Sequence, residues 1–306
     1  MNFSKSSQTL NTSLGIVAIV IWSTTVAFGR SLTEQIGPIT TAALIYLIGG
    51  VFGCGYLTLT KKIQRKFVLN PRYLLGCGGL FILYMFCLYL ALGLAINRNQ
   101  VLQVGLINYL WPMMTILTAI PLLKMRATVF LLPGAISATA GVFLATTQNQ
   151  PFDWRLFQQN LTQNYTPYIL ASSASVSWGL YSTLSRRWAG DAESGAVPIF
   201  MLATGVILGL ATLLFPKHTN WTVRTVLELL YMAVAPNLAY VFWELAMRKG
   251  DIILVASCSY FTPFLSTIIS CIYLDTPAGV KLWFGCALIV VGAIVCKLSV
   301  KERKYK

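Results

Sequence analysis

The stretches Asn108-Tyr109-Leu110-Trp111-Pro112 and Ser259-Tyr260-Phe261-Thr262-Pro263 decide the fold of this chain. Each lies in a long apolar segment and places a tyrosine three residues before a proline, and the two are 151 residues apart in a chain of 306. A proline inside a helix removes the backbone hydrogen bond to the carbonyl four residues earlier. The two stretches therefore predict broken helices at matching positions of a duplicated unit.

A second pair of similar positions supports the duplication. Trp22 precedes Arg30 by eight residues, Trp178 precedes Arg186 by the same eight, and the two pairs are 156 residues apart. The arginines have two interpretations. Both can act as cations that meet a substrate carboxylate, or, more simply, as helix ends whose long side chains reach the polar interface.

The composition is that of a membrane protein. Hydrophobic residues make up 56% of the chain and charged residues 10%, and the mean hydropathy is +0.68. A bilayer-spanning helix needs roughly 20 predominantly apolar residues, and the sequence contains ten such segments with short connections. We predict spans at about 14–30, 38–60, 73–96, 101–123, 127–147, 167–186, 196–216, 226–247, 252–273 and 280–299.

Counting spans predicts the relation between the two halves. A first five-helix repeat, 1–150, and a second, 151–306, each hold five spans, so the halves cross the membrane in opposite senses. Such an inverted-topology repeat supplies two packings of similar energy around one central site. The predicted fold class is an all-α membrane protein of ten transmembrane helices, arranged as a five-plus-five inverted-topology repeat.

The positive charge is distributed by loop. With the N-terminus inside, the inner loops and tails hold 17 of the 23 lysines and arginines, and the outer loops hold 6. This asymmetry follows the positive-inside rule and places both termini in the cytoplasm. The net charge of +14 is therefore interpreted as a topology signal, and a nucleic-acid partner is not expected.

Enzyme chemistry has little basis in this sequence. The seven cysteines fall in or beside apolar spans without the spacing of metal ligands. The single histidine, His218, lies in a predicted outer loop and cannot by itself form a zinc site or a nucleophile–base pair. We also find no phosphate-binding or dinucleotide-binding fingerprint. We therefore expect no enzymatic activity, no metal and no cofactor.

The two predicted helix breaks are the first candidates for a site. Pro112 should free the carbonyl of Asn108, and Pro263 that of Ser259. In lipid an unsatisfied carbonyl is tolerated only against protein or a water-filled cavity. A structural kink satisfied by a neighbouring helix is the alternative. Because paired broken spans mark the substrate sites of transporters, we favour a site, with Pro112 and Pro263 as its helix-break and gating residues.

Polar and aromatic side chains near the breaks suit a zwitterion that carries a ring. Other aromatic residues on the first, third, sixth and eighth spans could complete the wall of a cavity. Many membrane tryptophans and tyrosines instead form an interfacial belt, which is the competing interpretation. The candidate substrate-binding residues are Trp22, Tyr84, Asn108, Tyr109, Trp111, Trp178, Tyr181, Tyr240, Trp243, Ser259 and Tyr260.

Glu244 is the only carboxylate well inside a predicted span. A charge at that depth costs about 2.5–3.5 kcal/mol on insertion scales, which makes it a functional candidate. Arg248 follows four residues later, in the favourable order for an ion pair on one helix. Glu244 is thus either a site for a substrate ammonium group or a coupling proton, or one half of an anchoring salt bridge.

The motifs together resemble a known family. Trp22-Ser23-Thr24 in the first span, N-Y-L-W-P in the fourth and S-Y-F-T-P in the ninth are similar to the EamA branch of the drug/metabolite transporter superfamily, and within it to the bacterial exporters of aromatic amino acids. The likeness runs from about residue 14 to 299.

This resemblance implies an inner-membrane exporter of phenylalanine, tyrosine and tryptophan. It also implies a cavity lined by spans one, three, four, six, eight and nine. The implied partners are a small amino acid substrate and the lipid bilayer, and the sequence is compatible with a monomer. A broader exporter of quaternary-ammonium compounds or other amino acids is the alternative.

Overall fold

The structure, a computed structural model, describes residues 5–60, 70–147, 152–189, 195–214, 219–273 and 279–301. His218 and much of the basic connection after residue 60 lie outside these ranges. The helices are α1 (Lys5–Ile36), α2 (Pro38–Leu59), α3 (a π-helical turn, Arg72–Cys77, continued by Gly78–Leu94), α4 (Arg98–Asn108), α5 (Trp111–Leu122), α6 (Leu131–Thr146), α7 (Trp154–Gln163), α8 (Thr166–Trp188), α9 (Val197–Ala211), α10 (Val223–Lys249), α11 (Ile252–Cys258), α12 (Phe261–Tyr273) and α13 (Val280–Ser299).

Two short strands, β1 (Arg126–Ala127) and β2 (Val300–Lys301), pair antiparallel after α5 and α13. They join the connection between the fourth and fifth predicted spans to the end of the tenth. The rest of the described chain is a helical bundle.

Six helical stretches in the described residues are long and apolar enough to cross a membrane: Pro38–Leu59, Arg72–Leu94, Arg98–Leu122, Val223–Lys249, Ile252–Ile269 and Val280–Ser299. Two shorter apolar helices, α6 and α9, accompany them. Large apolar side chains such as Phe52, Leu210 and Phe284 stand exposed on the outside of the bundle, as a lipid-facing surface requires. The chain is a multi-pass membrane protein.

The helix breaks lie where the prolines predict them. The fourth span divides into α4, which ends at Asn108, and α5, which begins at Trp111. The ninth divides into α11, which ends at Cys258, and α12, which begins at Phe261. The prediction of broken helices at both places is confirmed.

One detail of that prediction was wrong. The carbonyl of Ser259 is not left free, because the amide of Thr262 donates a hydrogen bond to it over 3.1 Å. The chain tightens into a three-residue turn and so replaces the bond that Pro263 cannot make. Several side-chain atoms near the breaks also lack hydrogen-bond partners among the described residues, and these are described below.

The two halves of the chain pack in an exchanged pattern. Helix α1 lies against α10 of the other half, and its counterpart α8 lies against α3. In the same way α1 contacts α12, while α8 contacts α5. The pairs α2–α9 and α6–α13 each join one helix to its own counterpart. This is the packing that a pseudo-two-fold axis between the halves produces.

Helices α6 and α13 approach closely through glycines. A Cβ atom on Gly141 would lie 2.5 Å from the carbonyl oxygen of Gly285, too close to be accommodated without a shift of backbone. Small residues at such crossings let membrane helices gain van der Waals contact. The pair therefore fixes the spacing between the fifth and tenth spans.

We predict that Gly141→Ala destabilises the protein by about 1–3 kcal/mol, the usual cost of overpacking. Gly55→Ala is the matched control, since a Cβ there meets nothing within 4 Å and alanine is the better helix former. Thermal unfolding in detergent measures both. Equal stability of the two variants would contradict the close α6–α13 crossing.

Candidate functional site

Four tryptophans from four helices meet in the centre of the bundle. Trp22 on α1 lies 5.8 Å from Trp178 on α8 and 5.4 Å from Trp243 on α10, measured between ring centroids. Trp111 on α5 lies 5.2 Å from Trp243. The pairs are tilted or edge-to-face, the arrangements that aromatic quadrupoles favour. These helices bring together side chains that are far apart in the sequence.

Three tyrosines extend this group. The ring of Tyr84 lies 4.7 Å from Trp178, that of Tyr181 lies 5.2 Å from Trp178, and that of Tyr240 lies 5.2 Å from Trp22. The four tryptophans and three tyrosines are called the aromatic cluster below. All seven are candidate site residues from the sequence.

The aromatic cluster follows the internal repeat. Tyr84 and Tyr240 are 156 residues apart, the same spacing as Trp22 and Trp178. Each tyrosine packs on the tryptophan of the other half, and the two repeat-related tryptophans touch each other. The two halves therefore both contribute to the cluster through exchanged contacts, as a site between two repeats requires.

Several buried polar atoms near the cluster and the breaks have no hydrogen-bond partner among the described residues. They include Nε1 of Trp22, Oδ1 of Asn108, Oγ of Ser257 and Oγ1 of Thr262. By contrast, Nε1 of Trp243 donates to Ser182 Oγ over 3.0 Å. Buried polar groups are nearly always paired. Unpaired donors and acceptors beside a group of rings are what a polar aromatic ligand would use.

Three candidate residues lie outside the aromatic cluster. Tyr260 is fully buried, and its hydroxyl faces Thr139 on α6 and Cys296 on α13. The hydroxyl of Ser259 donates to the carbonyl of Ala256 over 2.6 Å. Tyr109 is partly buried against the core, with no ring contact to the cluster among the described residues. Their part in a substrate site stays a prediction.

Asn108 is closer to the cluster, since its side chain contacts the hydroxyl of Tyr84. The break after α4 is thus in direct contact with the aromatic cluster. At the break after α11, Ser259 and Tyr260 lie outside the cluster. Pro112 and Pro263 are both buried at the start of the second half-helix, as the sequence predicts for helix-break positions.

Two ring residues of the site were missed by the sequence analysis. Phe81 on α3 is fully buried and lies 5.4 Å from both Tyr181 and Tyr240. The hydroxyl of Tyr46 on α2 lies 3.0 Å from that of Tyr240. Phe81 precedes Tyr84 by three residues, so helical spacing was the signal that could have found it.

Glu244 is buried and paired. Oε2 of Glu244 lies 3.9 Å from Nη1 of Arg248, so the ion pair predicted from the sequence is present. The carboxylate also accepts a hydrogen bond from the hydroxyl of Tyr73 on α3. Glu244 is only 1% exposed and Arg248 2%. The pair is therefore not an exposed anchor at the interface, and it involves a second span.

Similarity to known proteins assigns the chain to a family. The model of the EamA-like transporter family matches residues 11–147 and again residues 166–297. The chain belongs to the EamA-like transporter family. This EamA-like chain is accordingly a membrane-embedded transporter of a small molecule rather than an enzyme, as the sequence predicted.

Named relatives and a solved structure agree with this assignment. The chain is 31% identical to the aromatic amino acid exporter YddG of Salmonella typhimurium, over 95% of this chain and 98% of the relative. It is 32% identical to the exporter of the same name from Ancylobacter novellus, over 98% and 100%. A crystal structure with 29% sequence identity superposes with a TM-score of 0.79, over 94% of this chain and 98% of the other.

We predict that Thr262→Val leaves stability unchanged or higher, because it removes a buried hydroxyl that has no partner. Thr183→Val is the matched control. Its hydroxyl bonds to Gly179 O at 2.9 Å and to Thr118 Oγ1 at 2.8 Å, so its loss should cost about 1 kcal/mol. Thermal unfolding without substrate compares the two variants. An equal loss in both would mean that the Thr262 hydroxyl is already satisfied.

Proposed function

We propose that this protein exports the aromatic amino acids phenylalanine, tyrosine and tryptophan across a bacterial inner membrane. The observation that carries the proposal is the aromatic cluster to which both halves contribute. Rings stack favourably on rings, and the unpaired atoms of Trp22, Asn108 and Thr262 offer one donor and two oxygen acceptors for a zwitterion. The printed names of the relatives point to the same substrates.

The proposal includes ten membrane helices. Helices α1 and α8, at 32 and 23 residues, are long enough to span. On α8 several of the polar residues that lower the hydropathy lie inside the bundle, as Ser175, Ser177 and Ser182 do. Together with the six apolar stretches and the two shorter apolar helices α6 and α9, they give each of the two repeats, 1–150 and 151–306, five spans, which then have inverted topology. The loop charges then put both termini in the cytoplasm.

The proposed mechanism is alternating access around the cluster. Two halves with exchanged packing can rock against each other and expose one central site to either face. In the conformation described, polar contacts tie together the end that the topology places in the cytoplasm. Lys297 on α13 pairs with Asp251, and the Asp251 amide donates to Thr12 Oγ1 on α1 over 2.9 Å.

The driving force limits what Glu244 can do. A zwitterion carries no net charge, so the membrane potential alone cannot drive its export, and each tenfold gradient needs about 1.4 kcal/mol. Glu244 remains our candidate for ion coupling. Its pairing with Arg248 and Tyr73 makes it a poorer candidate for a substrate ammonium group, since these contacts would have to be displaced.

A substrate panel in liposomes tests the proposal. The purified protein would be reconstituted with labelled phenylalanine, tyrosine, tryptophan, alanine and a quaternary-ammonium compound, with and without a pH gradient. We expect the three aromatic amino acids to move fastest. Transport of the ammonium compound with none of the aromatic amino acids would replace the proposal by the broader drug or metabolite exporter.

We predict that Trp22→Ala raises the half-saturating phenylalanine concentration about tenfold, through the loss of ring contacts worth about 0.5–1.5 kcal/mol each. Trp154→Ala is the control, because that tryptophan is 67% exposed on α7. Efflux would be measured at equal amounts of protein per liposome. Wild-type kinetics in Trp22→Ala would remove this residue from the substrate site.

A further inference from the structure

One end of the bundle contains a buried charged group, at the point where α3 begins and α8 and α10 end. Tyr73 is fully buried, and its hydroxyl donates to Oε1 of Glu244. The same hydroxyl accepts a hydrogen bond from the amide of Ala196, at 3.0 Å, just before α9. Arg248 lies one helical turn below Glu244 and completes the group. The three side chains are called the Tyr73–Glu244–Arg248 group.

Gly195 and Ala196, the two described residues just before α9, lie against this group. A Cβ atom on Gly195 would lie 1.4 Å from Oε2 of Glu244, so a larger residue there would displace the carboxylate from its present position. A hydrogen-bonded series therefore runs from α10, through Tyr73 on α3, to the connection before α9. It joins three elements at one end of the bundle.

The contact between Tyr73 and Glu244 joins α3 to α10, two helices that otherwise pack against different partners. Helix α3 packs chiefly on α8, and α10 packs chiefly on α1. Helices α3 and α10 meet through long side chains instead. Phe81 and Tyr240 touch in the centre, at 5.4 Å, and Tyr73 and Glu244 touch at the end. Releasing the second contact would let the two helices separate there without breaking a close helix crossing.

The internal repeat lacks this group at its other end. The spacing of 156 residues that relates Tyr84 to Tyr240 also relates Tyr73 to Leu229, and Glu244 and Arg248 to Leu88 and Leu92. Three polar residues at one end thus correspond to three leucines at the other. The repeat keeps the pairs Trp22 with Trp178 and Tyr84 with Tyr240 in the aromatic cluster, whereas it keeps none of the three residues here.

The other end has polar contacts too, but they join helices that already pack together. Glu228 on α10 pairs with Arg224 of the same helix and accepts from Gln35 on α1 at 3.5 Å. Tyr168 on α8 donates to Gln103 on α4 over 2.5 Å. These contacts link α10 with α1 and α8 with α4, which are packed pairs. They do not bridge α3 and α10.

We infer that Tyr73, Glu244 and Arg248 are gating residues that hold this end closed and open when the transporter changes conformation. The inference rests on the proposed alternating access and assigns residues to one of its two gates. Tyr73 also lies in the π-helical turn that starts α3, and such turns are frequent at functional sites. A buried ion pair adds little net stability but discriminates strongly between two packings.

The native cysteines provide the test. Cys77 lies one turn after Tyr73 on α3 and is fully buried, and Cys87, also buried, lies on the same helix towards the other end. Purified protein without substrate would be treated with N-ethylmaleimide, and the labelling rate of each cysteine would be followed by peptide mass spectrometry. Tyr73→Phe removes the hydroxyl alone. A triple variant, Tyr73→Leu with Glu244→Leu and Arg248→Leu, copies the leucines of the other end and leaves no buried charge unpaired.

We expect both variants to raise the labelling rate of Cys77 about tenfold, as the loss of a hydrogen bond to a charged group implies, with Cys87 unchanged or slower. Tyr168→Phe, which removes a buried tyrosine hydroxyl at the other end, should leave Cys77 unchanged. An equal rise at both cysteines would show general loosening and overturn the inference. An unchanged Cys77 in both variants, or an equal effect of Tyr168→Phe, would overturn it as well. Because no substrate is present, these outcomes are independent of the liposome panel.

Discussion

The absence of water in the bilayer core is the constraint on which this architecture depends. Each backbone amide and carbonyl in the membrane must be satisfied within the protein, so a broken helix is tolerated only inside the bundle. The break between α4 and α5 and that between α11 and α12 are accordingly surrounded by other helices, and the second closes with a tight turn at Ser259. Some side-chain atoms beside the breaks, such as Oδ1 of Asn108 and Oγ1 of Thr262, have no partner among the described residues. Unlike a backbone carbonyl, a side chain can turn towards a ligand in one conformation and away from it in another.

The exchanged packing of the halves places the aromatic residues. Because α1 lies on α10 and α8 lies on α3, a ring at one position of the repeat meets the counterpart helix of the other half. Trp22 and Trp178 therefore touch each other, and Tyr84 and Tyr240 cap them from opposite sides. The duplication thus supplies four of the seven rings from two positions, because Trp22 recurs as Trp178 and Tyr84 recurs as Tyr240.

Much of this arrangement could be predicted from the sequence, and the limits have physical causes. The two helix breaks and seven cluster residues came from repeat spacing and residue type. Proline alone was not sufficient, since α10 continues through Pro236 and α5 through Pro121. Tyr73 could not be found, because its contact with Glu244 joins residues 171 positions apart that share no motif. The orientation of Tyr260 towards α6 and α13 could not be predicted either. Helical spacing shows which residues share a face of one helix, but it does not show which other helix that face contacts.

The asymmetry between the two ends of the bundle affects the resting conformation but not the direction of net transport. If the two halves were identical, the two conformations would have equal energy, and neither end would be preferred at rest. A hydrogen-bonded ion pair at one end, opposite three leucines at the other, stabilises the conformation in which the polar end is closed. Such a bias sets the side of the membrane to which the empty site is open most of the time. It cannot set the direction of net transport, because a conformational equilibrium supplies no free energy over a complete cycle. In the proposed mechanism, export then depends on the cytoplasmic concentration of substrate or on a coupled ion, and the proposed gate limits how often the site opens to the cytoplasm when substrate is scarce.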